Sequence, residues 1–116
     1  MLKPQNRLKA DRDFKRALKI GRFFNSKEMR LRAAFNKLPE SRFGFVISTA
    51  VDKRSAVRNR IKRQVREAVR LLLKEKKIAT GSDVVFLLGR GLKDLQFTEI
   101  QKKVVAGLSR IGLLKL

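Results

Sequence analysis

Between Lys53 and Lys77 the apolar residues Val57, Ile61, Val65, Ala68 and Leu72 recur at steps of four, four, three and four, the period of an amphipathic helix. At 100° per residue they fall within an arc of about 80°, with Val69 beside them. Asp52 or Ser55 could serve as its N-cap. Upstream, Leu8 to Ile20 predicts a short helix with Asp11 as N-cap, with Phe14, Ala17 and Leu18 on one side and Gly21 as its stop. Residues 22–38 admit a short strand near Arg22–Phe24 and another near Glu28–Phe35, where Met29, Leu31 and Ala33 alternate with Arg30 and Arg32. A turn follows at Leu38-Pro39-Glu40-Ser41. In Arg42–Ser48, Phe43, Phe45 and Ile47 share one face, and Arg42, Gly44, Val46 and Ser48 share the other. Gly44 inside this strand predicts either a close approach to the backbone or a bulge.

Thr80-Gly81-Ser82-Asp83 is a turn, and the unbroken apolar run Val84–Leu88 predicts a central strand buried on both faces. Gly89-Arg90-Gly91 ends it. Phe97, Ile100, Val104, Leu108 and Ile111 predict a last helix. The order is helix, two or three strands, basic helix, strand, helix. It predicts an α/β (α+β) fold of two layers, a small mixed sheet of about four strands with three helices. Strand, helix and strand over residues 42–88 imply a crossover unit that packs the second helix on the sheet. One sheet face or edge then stays partly open for a ligand. No repeat or linker divides the 116 residues, so residues 1–116 form one domain.

Charge sharpens the picture of the long helix. Asn59, Arg63, Arg66 and Arg70 lie opposite the apolar stripe, Lys62 and Arg60 flank them, and Arg58 sits near the apolar border. Lys53, Arg54, Arg58, Arg60, Lys62, Arg63 and Arg66 are seven cations with no acid between them. A charged helix face is ordinarily just solvated, but a solvated face mixes signs to gain pairs four residues apart. Here Lys62 and Arg66, or Arg66 and Arg70, repel at that spacing, and a polyanion offsets such crowding. The whole chain carries 30 Lys+Arg against 10 Asp+Glu, a formal charge of +20. That favours nucleic acid over a membrane surface, because the charge is spread over a folded domain.

Composition also excludes chemistry. Without Cys or His there is no thiolate, no disulfide, no histidine base and no ordinary zinc site. No stretch approaches the roughly 20 apolar residues of a membrane span, and the first residues lack the apolar run of a secretory signal. The expectation is a soluble, cytoplasmic protein. The ten acids are scattered, each better suited to a cap, turn or surface pair than to acid–base catalysis, and Ser48, Ser55 and Ser82 have no histidine to activate them. Gly89-Arg90-Gly91 is too short to cradle a phosphate. No catalytic and no metal-ligating residue is assigned. The polypeptide is expected to bind, and any chemistry to belong to its partner.

The run Ala56-Val57-Arg58-Asn59-Arg60-Ile61-Lys62-Arg63-Gln64-Val65-Arg66-Glu67-Ala68 resembles the signature of the protein subunit of bacterial ribonuclease P. Asn6-Arg7-Leu8 with Asp13-Phe14, then Arg42-Phe43-Gly44-Phe45, Val51-Asp52-Lys53-Arg54, Asp83-Val84-Val85-Phe86 and Leu95–Phe97, resemble further stretches of that family in the same order. The resemblance implies a left-handed crossover, where right-handed is the default. It also implies removal of the 5′ leader from precursor tRNA, with hydrolysis carried out by the RNA subunit and its bound Mg²⁺. The partners implied are the ribonuclease P RNA subunit and precursor tRNA, with neither DNA nor membrane expected.

By the same resemblance, Lys53, Arg54, Arg58, Asn59, Arg60, Lys62, Arg63, Arg66 and Arg70 face the catalytic RNA, and Arg7, Phe14, Leu18, Arg32 and Arg58 line a cleft for the leader. Arginine forks suit phosphates, and Asn59 can both donate and accept at a base or ribose edge. Arg58 is expected to point to the sheet and the leader, and Arg63, Arg66 and Arg70 away from it. Phe14 either stacks on a base or packs a short helix, whereas Phe43 and Phe45 read as core. Thr49 and Ala50 stand where the family commonly has a lysine pair, Leu18 where a second aromatic is frequent, and Arg32 where a tyrosine is frequent. These departures imply a leader cleft that relies more on charge and less on stacking. A structural RNA-binding protein of ribosomal type is the alternative, and a self-sufficient nuclease would need clustered carboxylates.

Overall fold

The computed structural model describes residues 2–115. The elements are α1 (Asp11–Ile20), β1 (Arg22–Asn25), β2 (Met29–Phe35), β3 (Arg42–Ile47), α2 (Ser55–Lys74), β4 (Ser82–Leu88) and α3 (Phe97–Arg110), with short 3₁₀ turns at Pro4–Asn6 and Arg90–Leu92. The sheet order is β1-β2-β4-β3. β2 pairs antiparallel with β1 and with β4, while β3 lies parallel to β4. The crossover expected over residues 42–88 is therefore present, and α2 spans it.

β4 is central, as its apolar run predicts, and Val84, Val85 and Phe86 are fully buried. Alternation divides the sheet between two clusters. Met29, Leu31, Ala33, Phe43, Val84, Phe86 and Leu88 meet α2 and α3 through Ile61, Val65, Ala68, Val69, Ile100, Val104 and Leu108. Burying each Val, Leu or Ile side chain stabilises the fold by about 1.5–3 kcal/mol. The other face holds a smaller cluster of Leu8, Ala17, Ala34 and Val85, with Phe14 and Leu87 against it. Two layers thus form the main core, and α1 adds partial cover on the opposite face.

Several local expectations change. α1 begins at Asp11 instead of Leu8, and its N-cap is Ala10, with no side-chain capping bond. Asp11 is a first-turn acid paired with Lys15 at 3.0 Å. Leu8 is drawn out of the helix because its N–H donates to Phe43 O at 3.0 Å, and Arg7 forms a parallel bridge with Phe43. Gly21 ends α1 at φ −84°, outside the left-handed region. Its missing side chain serves packing: a Cβ there would lie 2.0 Å from Ala33 O. Neither Asp52 nor Ser55 caps α2, whose N-cap is Arg54.

A buried ion cluster fastens α1 to the sheet. Arg42 Nε and Nη2 donate to Asp83 Oδ1 and Oδ2, both at 2.8 Å, and Arg42 Nη2 also lies 3.3 Å from Asp13 Oδ2 of α1. Asn36 Nδ2 donates to Asp83 Oδ1 at 2.9 Å. The hydrogen bonds that the guanidinium donates to Asp83, outweighing its desolvation, raise the Arg42 pKa above its ordinary value.

Candidate functional site

The amino end of α2 is built from a loop that is tied down from both sides. Asp52 accepts from Arg54 through its backbone N–H at 2.8 Å, Nε at 3.1 Å and Nη2 at 3.0 Å, and Lys93 Nζ lies 2.8 Å away. Arg90 Nε donates to Ala50 O, and Arg60 Nη2 to Lys93 O. Bonds from Arg54, then Lys93, hold the Asp52 carboxyl well below the usual carboxylate range. A depressed pKa means stability present above the unfolded value of about 3.9 and lost as pH falls through the folded one. The stability advantage of the wild type over Asp52→Asn should therefore hold from pH 7 to 5 and shrink only below about pH 4. Urea titrations of both proteins at pH 7, 5 and 3 check this.

From this anchored end α2 carries its cations into three settings. Asn59, Arg63 and Lys53 are exposed and Lys62 is half-buried, and none of them has a carboxylate partner among the described residues. This is the outward basic face that the helical period predicts. Arg54 and Arg70 instead pair with Asp52 and Glu67.

Arg58 and Arg66 depart furthest from expectation. Arg58 Nη1 donates to the carbonyls of Asp52 and Lys53 at 2.9 and 2.8 Å, so it braces the helix entry and does not line the cleft beside Phe14. Arg66, expected to point away, places its guanidinium 5.5 Å from the centre of the Phe45 ring. The buried residues Ile61, Val65, Ala68 and Val69 explain the shift. Their centre lies roughly 25° further round the helix, towards Val69, than the apolar stripe's own centre. That rotation brings Arg66 to the border, where its long stem can lie along apolar surface.

Arg66 enters a cleft of about 360 Å³ at the edge of β3, with Leu2, Arg7, Leu8, Lys9, Phe14, Phe43, Gly44 and Phe45. Arg7 is held there by its own donation from Nε to Leu2 O at 2.9 Å. The Phe14 ring crosses Gly44 so closely that a Cβ on Gly44 would lie 2.4 Å from two ring carbons. Of the two readings of Gly44, close approach is the correct one. Phe14 thus packs with one side and faces the cleft with the other. Phe43 is core, as expected. Phe45 is half-buried, stacks on Phe86 at 5.3 Å and also lines the cleft. Its part in the site is not visible in the sequence, because strand alternation places it with the core residues.

The sheet face beside α1 is open. Phe14 and Leu18, four residues apart, share a flank of α1, and Leu18 is 44% exposed. Asp13, a neighbour of Phe14, reaches Arg42 on the other flank. In register across the strands run Asn25, Arg30, Leu87 and Val46, of which Asn25, Arg30 and Val46 are exposed and Leu87 half-buried. Arg32 stands in the next row, its Nη1 donating to Asn25 Oδ1 and Leu31 O, both at 2.9 Å. Among the described residues no group of three acids gathers as a metal site, and no helix is long and apolar enough to cross a membrane.

A four-stranded mixed sheet with one arginine-rich helix across it, and an aromatic, cationic groove beside a short first helix, defines a small basic α+β protein shaped for a polyanion. The ribonuclease P family model matches residues 2–112. The ribonuclease P protein component of Clostridioides difficile is 38% identical over 97 residues, covering 84% of this chain and 83% of that protein. The component from Roseiflexus castenholzii is 36% identical over 115 residues, covering 98% and 92%. Among solved structures, the RNase P protein of Thermotoga maritima is 28% identical with a TM-score of 0.79, covering 90% of this chain and 96% of that one. The Staphylococcus aureus protein, at 23% identity, shares the fold with a TM-score of 0.82, covering 95% and 98%. The chain belongs to the ribonuclease P protein component family. That membership implies an RNA partner and a part in tRNA processing, and it does not favour the ribosomal alternative.

Proposed function

We propose that this chain is the non-catalytic protein subunit of ribonuclease P, working in the cytoplasm. It docks on the RNA subunit through the outer face of α2, and it holds the 5′ leader of precursor tRNA in the groove between α1, the sheet and Arg66. The observation that carries this reading is the juxtaposition of that groove with an outward face of exposed Lys53, Asn59 and Arg63 and half-buried Lys62, whose cations have no carboxylate partner among the described residues. Arg66 moves from the first surface to the second. Seven of the ten acids pair with the chain's own cations, and the Mg²⁺ that supplies the hydrolytic chemistry would be held mainly by the RNA partner. The polypeptide's work is to position the strand and neutralise charge.

Mixed with ribonuclease P RNA and precursor tRNA at low Mg²⁺, the protein should raise the cleavage rate above that of the RNA alone. No enhancement defeats the proposal. Arg60→Ala and Arg63→Ala should each weaken RNA binding and flatten its salt dependence by about one phosphate contact. Binding isotherms across a salt series test this, and unchanged slopes for both would place the docking face elsewhere.

A further inference from the structure

Two of the chain's eight phenylalanines are left largely in water. Phe23 is 67% exposed and Phe35 is 71% exposed. Each has an arginine over its ring at 5.4 Å, Arg32 on Phe23 and Arg22 on Phe35. They occupy opposite faces. Phe35 shares the alternation of Leu31 and Ala33, towards α3, whereas Phe23 is the register partner of Arg32, on the face that carries α1.

On that face Phe23, Arg32, Val85 and Gly44 form one row across all four strands, and Phe14 lies on Gly44 at the far end. Three strand spacings separate the two ends, roughly 14 Å. The open row of Asn25, Arg30, Leu87 and Val46 runs alongside. An exposed aromatic on a structured edge costs hydration, and a planar guanidinium over it makes a flat surface suited to another π-system. Arg32 spends only Nη1 on Asn25 and Leu31, which leaves its other N–H groups for a phosphate. Arg30 and Arg32 have no carboxylate partner among the described residues. Positive charge beside an aromatic plane matches a single-stranded nucleotide, whose base supplies the plane and whose phosphate supplies the negative charge.

We propose that Phe23, together with Arg32, is a base-stacking position for unpaired RNA at the β1 end of the groove. It rests on the leader-binding reading above and extends the path of that strand across the sheet from Phe14 to the β1 edge. The base stacks on the flat surface that Phe23 and Arg32 make together, and the free N–H groups of Arg32 contact the adjoining phosphate.

The chain has no Trp and no Tyr, so Phe23→Trp carries a single indole emitter. Phe35→Trp, with matched exposure and a matched arginine on the other face, is the control. With ribonuclease P RNA present, leader-bearing precursor tRNA should quench the Phe23→Trp emission, and mature tRNA should do so several-fold less. Phe35→Trp should make no such distinction. Phe23→Ala, checked for retained fold by circular dichroism, should weaken leader-bearing substrate roughly five- to tenfold and leave mature tRNA unchanged. An emission that ignores the leader, while wild-type cleavage still depends on it, overturns this stacking position and leaves the proposed function standing. A wild type indifferent to the leader overturns the proposed function itself. In that case quenching of Phe23→Trp by a short unstructured oligoribonucleotide would still support Phe23 as a stacking position, and its absence would remove that as well.

Discussion

Asp83→Ala should destabilise the protein by about 3–5 kcal/mol, the loss expected when one partner of a buried ion pair is removed. The Asp83 side chain is 2% exposed and that of Arg42 23%, so the carboxylate cannot be replaced by bulk water. It accepts both forks of Arg42 and the amide of Asn36. Asp13 alone would remain near the guanidinium, at 3.3 Å and through one oxygen. Since total stability of a small domain is typically about 5–15 kcal/mol, the variant should be partly unfolded at ambient temperature. Urea denaturation followed by circular dichroism measures the loss. A cost below about 1 kcal/mol would mean that Asp13 takes over the charge and that the cluster is not what holds α1 to the sheet. Asp83→Asn, which keeps the volume and removes the charge, separates the packing contribution from the ionic one.

Phe14→Ala should weaken binding of leader-bearing precursor tRNA by about 1–3 kcal/mol, the range for loss of one stacked base, and leave mature tRNA unaffected. Phe14 is half-buried with one side over Gly44, so the truncation also removes packing, and the leader-specific difference is the informative quantity. Equal loss for the two RNAs would show that the ring merely packs. The same comparison on Arg66→Ala tests its position in the groove: Arg66 should now follow Phe14 in leader dependence, and not Arg63.

The elements of this fold are written in short-range patterns. The step-of-four apolar residues of α2, the unbroken Val84–Leu88 run and the alternation around Arg30 and Arg32 each reappear as the predicted helix or strand, because burial enforces those periods directly. Gly44 was readable for the same reason: a strand tolerates a glycine where a neighbour, here Phe14, takes its space. The orientation of individual site residues was less accessible. A helical period says which side is apolar, but the rotation that buries Val69 and draws in Arg66 depends on the surface presented by β3 and α3. Arg58 turned to carbonyls at the helix entry, an option that any long donor has and no spacing reveals. Leu8 left its helix for a bond to Phe43, a contact 35 residues distant in the chain. No spacing marks Phe23, whose significance lies in its cross-strand partner Arg32.

The place of β4 in the sheet has a consequence for biosynthesis. β3 pairs along its length only with β4, which enters the chain after the whole of α2. A nascent polypeptide that has not yet delivered Ser82–Leu88 holds a β1–β2 hairpin, a strand with no ladder and a cationic amphipathic helix without its platform. Closure of the sheet must therefore wait until β4 has been made. Until then the greasy side of that helix, Ile61, Val65, Ala68 and Val69, lacks the finished sheet that covers it.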